Sequence, residues 1–516
     1  MKKELFKSIA ILIIFFGTYN YTASQDMLGI VNSNYAGTNG ILINPASMVN
    51  SKLCMDINIA TINPSIQNNY LYFNNEDYKI SSLFSKGYLT DSQRAKGDNK
   101  EDVVQISDAH NKRNKYLYNN ITLQLPSVML AYNKHAFALN TSFRSVFSIR
   151  NIADHAATFF YEGSDYKPQQ GINYDFQDAE ITQMSWSEIS LSYAYLFSQN
   201  SHSQWSGGIS LKYLLGHNAV FVRGYDNNYK FIDDETLQVN NLDAEYGYSS
   251  PPVCQETNEF TKPDRLINGQ GVGMNLGVIF QKNMKGNRNH NNAKDFKCNK
   301  HEDYLYKIGL SLIDIGAIRF NHDAQTFKLD NVSTYWEGFD TTEVKGFNNF
   351  NKNLSYKFYG DSLASQDSDK FSIALPAFVS LQFDYQFHPG FYLNTTIIQN
   401  LKVGKYSLGR PNLLSVTPRY ETSWLEVSLP IIMYNYQLPC AGLAVRIYGV
   451  TIGTDKLCGF VGLNNVYGLD FYCSIKIGFV NGTCGKKCQN SKMSLLNFKK
   501  KNNRNRSSKA RSFASR

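Results

Sequence analysis

The sequence predicts an all-β protein, a transmembrane antiparallel β-barrel of about fourteen strands. Three observations predict it: a two-residue rhythm, an export leader, and connections that alternate long and short. The rhythm is plainest in 378–388, where odd positions from Val379 to Phe387 are apolar or aromatic and even positions from Ser380 to His388 are polar. A strand with that pattern has one oily and one wet face.

The chain begins with a leader, residues 1–24. Lys2, Lys3 and Lys7 supply the positive start, Ile9 to Phe16 the apolar core, and Thr22, Ala23 and Ser24 a cleavage site. The apolar run falls short of the ~20 residues a helix needs to span a bilayer. Residues 25–50 follow, rich in Gly and Asn and without a period of two. Within them Asn44-Pro45 signals a turn or a helix start, because Pro suits the first helical position.

The barrel is expected over 51–480. Its first strand alternates Leu53, Met55, Ile57 and Ile59 against Cys54, Asp56 and Asn58. Further strands are expected near 116–132, 135–148, 183–198, 204–217, 269–282, 303–317, 369–388, 390–402, 412–420, 422–433, 441–453, 457–463 and 467–480. Long loops follow the first, third, fifth and seventh strands (74–115, 149–182, 218–268, 318–368). Short turns follow the second, fourth and eighth, at Asn133-Lys134-His135, Gln199 to Ser203 and Pro389-Gly390. Outer-membrane barrels show this asymmetry, with long loops outside the cell and short turns in the periplasm. The polar stretch 283–303 breaks the alternation. A soluble β-sandwich would also alternate, but it would turn its polar face outward and has no reason to alternate loop lengths.

Composition fits the barrel: 34 Tyr and 33 Phe against 4 Trp and 13 Pro, with a negative mean hydropathy. The net charge of +9 is a tail effect, since 481–516 is basic and holds eleven Lys and Arg and no acid from Lys486 onward. Such a segment cannot bury a core and reads as disordered. It offers electrostatic contact with peptidoglycan or an acidic periplasmic protein, and no nucleic-acid face is expected. Of eight Cys, Cys484 and Cys488 are close enough to pair around a Gly-containing turn, while Cys254 and Cys298 lie in predicted loops. A zinc site at Cys484 and Cys488 would lack two ligands, so no metal is expected.

The stretch Ser33-Asn34-Tyr35-Ala36-Gly37, the following Asn44-Pro45-Ala46 and Asp56 in the first strand resemble a family of uncharacterised outer-membrane proteins from the Bacteroidota. The 442–455 segment resembles that family's terminal hairpins. The Asn-Pro-Ala element is shared more loosely with FadL fatty-acid channels and the PorV-like proteins of type IX secretion. The resemblance implies a fourteen-stranded barrel whose N-terminal segment folds inward as a hatch, here Asn34, Tyr35, Gly37, Asn44, Pro45 and Ala46. It implies no activity. Two functions are expected from it: a conduit for small hydrophobic or amphipathic molecules, or a non-transporting structural or secretion-associated barrel.

Charged residues on the inward faces of the expected strands are Glu188, Lys212, Asp384, Glu426, Arg446, Asp470 and Lys476. They read either as a ligand path or as the salt-bridged lining that a hydrated lumen needs, because charge facing lipid costs ~2–4 kcal/mol at mid-membrane. Gly271, Gly273 and Gly277 alternate in strand fashion and do not form a nucleotide loop. No catalytic motif is present; Asp154-His155 and His301-Glu302-Asp303 are the only pairings worth noting. No enzyme activity and no cofactor are expected. The expected partners are outer-membrane lipid and a small hydrophobic ligand.

Overall fold

The computed structural model describes residues 27–73, 106–164, 166–200, 202–250, 265–284, 304–339, 346–437, 439–457 and 465–480. The expected leader, the basic tail, Cys484, Cys488 and the 301–303 triplet lie outside them. Fourteen antiparallel walls close into a barrel. They are β1 (Leu53–Asn68), β2 (Lys115–Gln124 and Ser127–Tyr132), β3 (His135–Ile152), β4 (Asn173–Gln199), β5 (Ser203–Phe231), β6 (Gly269–Asn283) and β7 (Tyr304–Phe320). The circuit continues through β8 (Phe371–Ala374 and Phe378–His388), β9 (Phe391–Asn400), β10 (Leu413–Glu421) and β11 (Leu425–Ser428 and Ile431–Tyr434). It ends with β12 (Pro439–Ala441 and Leu443–Ile447), β13 (Val450–Thr454) and β14 (Gly468–Asp470 and Tyr472–Val480). Closure comes where Ile57 of β1 pairs with Ile477 of β14. Closed strands satisfy the backbone within lipid, and no described helix is long and apolar enough to cross a membrane.

Alternation sets which face is which. Leu191 on β4 is 64% exposed and Val272 on β6 is 71% exposed, whereas Ser190, Ser192 and Ser210 point inward and are buried. The serines are satisfied across the wall, Ser192 and Ser210 sharing a hydrogen bond of 2.7 Å. Aromatics crowd the outer face near the short turns, as in Phe137–Tyr193, Trp205–Phe280 and Phe391–Tyr420. Such girdles suit the boundary between lipid and water. Interruptions in β2, β8 and β11 fall at Pro126, Pro376 and Pro430, where the missing N–H breaks the ladder.

Several expected boundaries are corrected. The 441–453 stretch is not one strand but the β12–β13 hairpin, turning at Tyr448 in the left-handed region (φ 54°). The expected strand at 457–463 lies almost wholly outside the described residues. The loops expected at 149–182 and 218–268 contain strand: β4 starts at Asn173, β5 runs to Phe231, and Thr236–Ser249 folds back on it. The loop expected at 318–368 holds a strand, Ala324–Glu337, paired with Thr236–Ser249. Two helices also stand at the long-loop end, α1 (Asp154–Glu162) and α2 (Gly346–Tyr359). The barrel is therefore lopsided, tall on β3–β8 and low on β9–β13.

Candidate functional site

Residues 27–52 lie inside the barrel. Asn44 builds the first turn of a short 3-10 helix, Pro45–Asn50, by accepting from the Ala46 N–H at 3.0 Å. Pro45 fills the first helical position, where no N–H is needed. This corner rests on bare backbone. A Cβ at Gly277 would stand 2.1 Å from Asn44 Oδ1, and one at Gly208 would stand 2.5 Å from the Ala46 nitrogen. Asn44 Nδ2 also donates to Gln382 Oε1 at 3.0 Å and to the Val278 carbonyl at 3.3 Å.

The earlier half of the segment is held by charge. Asn34 donates from Nδ2 to Glu421 and to the Tyr304 hydroxyl (3.0 Å), while Lys307 donates to its Oδ1. The carbonyls of Tyr35 and Ala36 accept from Lys476 Nζ at 3.0 and 2.7 Å. Arg446 lies over the Tyr35 ring, 4.6 Å from its centroid. Gly37 takes a positive φ of 56°, and a Cβ there would strike the Asp56 carboxylate at 2.1 Å. Asp56 instead accepts from the Thr38 N–H and hydroxyl at 2.8 and 2.9 Å. At the start, Leu28 N–H donates to Asp455 at 3.0 Å. Apolar side chains complete the seat: Met27, Leu28, Ile30, Val31 and Ile43 pack on inward Ile313, Phe378, Ile398, Leu413 and Tyr472.

All seven charged residues expected inside are buried, but they do not line one path. Asp384 pairs with Arg419, which donates to both its oxygens at 2.9 and 2.8 Å and to Glu421 at 2.9 Å. Glu426 pairs with Arg446 at 2.9 Å and accepts from Ser33 Oγ at 2.7 Å. Glu188 and Lys212 belong to a second group with Asp314 and Arg144, joined at 2.6 Å (Lys212–Asp314) and 2.8 Å (Arg144–Asp314). Asp470 accepts from the Asp455 N–H at 2.7 Å. Sequence reading missed Arg419 and Glu421, although the run Ser415, Thr417, Arg419, Glu421 puts both on β10's inward face. Asp314 was missed for a better reason. It sits at a bulge with φ 58°, where the period of two slips.

Above this level residues 401–412 turn into the barrel as a strap. Leu408 is fully buried among Trp186, Phe221 and Phe371. Tyr406 stacks on Phe221 with centroids 3.8 Å apart. Ser407 accepts from Arg150 at its carbonyl (2.9 Å), and Lys402 pairs with Glu180. Lys405 and Tyr406 both reach Glu245. Burial opposes ionisation of Glu245, but the bonds from Lys405, Tyr406 and Tyr225 outweigh it and hold the carboxyl below its usual range.

Beyond the strap, the tall walls and the two helices line a half-open pocket of about 230 Å³. Phe159 and Phe160 of α1, Phe231, Trp336, and Phe358 of α2 are among its lining; no charged side chain is among the described lining residues, though Lys357 Nζ lies 5.7 Å from the centroid of the Trp336 ring. His155 of α1 stacks on Tyr174 at 4.4 Å. Burial lowers its affinity for a proton, against the opposing pull of Asp154 and Asp175. Among the described residues, His155 Nε2 has no hydrogen-bond partner. Below the strap a smaller cavity of about 60 Å³ lies between Arg144, Lys212 and Met27 of the inward segment.

Several solved barrels are similar at low identity. The toluene transporter TodX of Pseudomonas putida is 9% identical, with 87% of this chain and 94% of that one covered and a TM-score of 0.36. A mutant TodX described as a monoaromatic hydrocarbon channel gives 8% identity, 88% and 98% coverage and a TM-score of 0.40. A FadL homologue of Pseudomonas aeruginosa gives 9%, 88%, 97% and 0.26. No curated protein matches the chain in sequence. Residues 45–455 match DUF5723, a family of unknown function, and the chain belongs to that family.

Proposed function

We propose that the protein is an outer-membrane conduit for small apolar or amphipathic molecules, with residues 27–52 as its gate. The observation that supports this reading is the 230 Å³ cavity at the long-loop end. Ligand pockets are concave and mostly apolar, and a barrel that served only as a wall would have no need of one. In the usual orientation the long loops face outward and the short turns face the periplasm. A molecule captured among the loop aromatics would then pass the strap and meet the inward segment.

A reversible lock tests the reading. Asn50 Nδ2 and Ser206 Oγ are 2.7 Å apart, so Asn50→Cys with Ser206→Cys, bridged by a short reducible bis-methanethiosulfonate, should tie the inward segment to β5. In liposomes, flux of a small apolar dye should stop in the bridged variant and return on reduction. Measurable flux that is equal in both states would overturn the gate, and no flux in either would overturn the conduit.

The second reading, a non-transporting barrel with a structural or secretion-associated role, is favoured by how firmly residues 27–52 are bonded. It expects no flux in either state and no change on deleting residues 27–46.

A further inference from the structure

The strap, residues 401–412, joins the adjacent strands β9 and β10 but does not stay on their side of the barrel. Its ends are clipped together, Asn400 N–H donating to Asn412 Oδ1 at 2.8 Å, which gives it the closed outline of an Ω-loop. From that base it crosses the lumen to the tall wall on the far side of the ring. There the Ser407 carbonyl accepts from Arg150 of β3 at 2.9 Å, Lys402 pairs with Glu180 of β4, and the Lys405 carbonyl accepts from Arg223 of β5 at 2.6 Å. Gly409 makes the close approach to β3 fit, since a Cβ there would stand 2.2 Å from Arg150 Cδ.

Its height follows from the order of residues along β5. Tyr229 lines the outer pocket, Phe221 packs against the strap, and Lys212 lines the lower cavity. The strap therefore crosses between the two spaces. Its middle is an apolar stopper: Leu408 is fully buried among Trp186, Phe221, Ile318 and Phe371, which come from β4, β5, β7 and β8. Two residues on, Arg410 lines the lower cavity, its guanidinium 4.1 Å from the centroid of the Phe378 ring.

Two kinds of attachment hold the strap down. Burial of Leu408 and two backbone bonds to Ala374 of β8, at 2.9 and 3.1 Å, seat the middle. Lys405, at 2.6 Å, and the Tyr406 hydroxyl fasten it to Glu245. The Lys402 and Lys405 side chains are 44% and 56% exposed, and ion pairs so open to water hold weakly. An apolar stopper beneath a weak polar latch is a closure that can lift, and apolar constrictions gate by excluding water.

We infer that residues 401–412 are an outer gate of the conduit, in series with residues 27–52, with Leu408 as its constriction and Glu245 as its latch. The inference rests on the conduit reading and adds a second closing point to it.

Labelling and flux test it on the full chain in a Cys440→Ser, Cys473→Ser background, which removes the free thiols among the described residues. Leu408→Cys should react slowly with N-ethylmaleimide in detergent. Adding Glu245→Gln should quicken the reaction about tenfold, the worth of one bond to a charged group. A heat-modifiable gel shift confirms that each variant is folded; should Leu408→Cys fail, Ser407→Cys, buried beside it, takes its place. For flux, Lys405→Cys with Glu245→Cys, bridged by the same reducible reagent, should stop passage of the apolar dye, and reduction should restore it. A labelling rate unchanged by Glu245→Gln, or measurable flux that is equal in the bridged and reduced states, would overturn the outer gate. If the bridge between 50 and 206 still controls flux in that case, the conduit stands with its inner gate alone. If the bridge between 405 and 245 controls flux and the other does not, the outer gate stands and the inner one falls. No flux in any state overturns the conduit and the outer gate with it.

Discussion

Asn34 holds Glu421 twice, donating from Nδ2 to Oε1 at 2.8 Å and from its backbone N–H to Oε2 at 3.3 Å. The same carboxylate accepts from Arg419, so the inward segment is tied to the ion pair that braces β8 against β10. Asn34→Ala deletes the side-chain bonds and leaves that ion pair intact. Bonds to charged groups are worth roughly 1.5–3 kcal/mol each. A loss of roughly 2 kcal/mol would raise the undocked fraction of residues 27–52 about thirtyfold. Hydrogen exchange over that segment should accelerate accordingly, with a rise in open-channel current in planar bilayers. Unchanged exchange would mean that the segment is held elsewhere.

The Asn44-Pro45-Ala46 corner gives a steric counterpart. Gly277→Ala would place a methyl 2.1 Å from Asn44 Oδ1, and overpacking of this kind costs about 1–3 kcal/mol. The corner should lift, and the amides of 44–50 should exchange faster while the barrel stays closed. Gly207 supplies the control. Its Cβ would meet Phe197 at an ordinary 3.4 Å on the outer face, so Gly207→Ala should leave that exchange unaltered.

What the sequence makes legible here is periodicity, and periodicity is local. Alternation in 183–198 and 204–217 marks the membrane-facing parts of β4 and β5, because lipid on one side forces it. At the upper end of β4 solvent replaces lipid, so polar Asn173, Asp175 and Gln177 are the exposed residues while Tyr174 and Phe176 are half-buried, and Asn173 to Ala179 consequently reads as loop. The Gly208 and Gly277 seats are invisible for a similar reason: each is meaningful only once β5 and β6 are neighbours and Asn44 lies across them. The motif at 33–46 marks the inward segment, yet its contacts span hundreds of residues, as between Leu28 and Asp455.

The Asp384–Arg419–Glu421 group predicts a stability effect with a known sign. Arg419→Met would leave two buried carboxylates without their shared cation, and breaking a buried pair from one side costs roughly 3–5 kcal/mol. The temperature of the heat-modifiable mobility shift should fall well below that of wild type. Arg419→Lys should recover part of the loss, restoring charge without the two-pronged grip on Asp384. Equal temperatures for Met and wild type would show that the group contributes nothing to stability.

The last prediction concerns acid and the outer cavity. His155 stacks on Tyr174 and lies near Phe176 and Tyr229, with Asp154 and Asp175 as the charges facing it. Burial lowers its proton affinity below the ordinary value of 6.5, so the folded chain binds fewer protons there than the unfolded one. The sign follows: α1 is fully docked above that value and loses stability as pH falls through 6.5 toward the lowered folded value. Helix exchange over 154–162 should therefore quicken between about pH 7.5 and about pH 5, after correction for intrinsic exchange. His155→Phe keeps the stack without the proton and should flatten the dependence. His110 lies 2.9 Å from Asp108 and 3.4 Å from Asp154, so the comparison is made in a His110→Gln background. A pH dependence that survives His155→Phe in that background would assign it to another group.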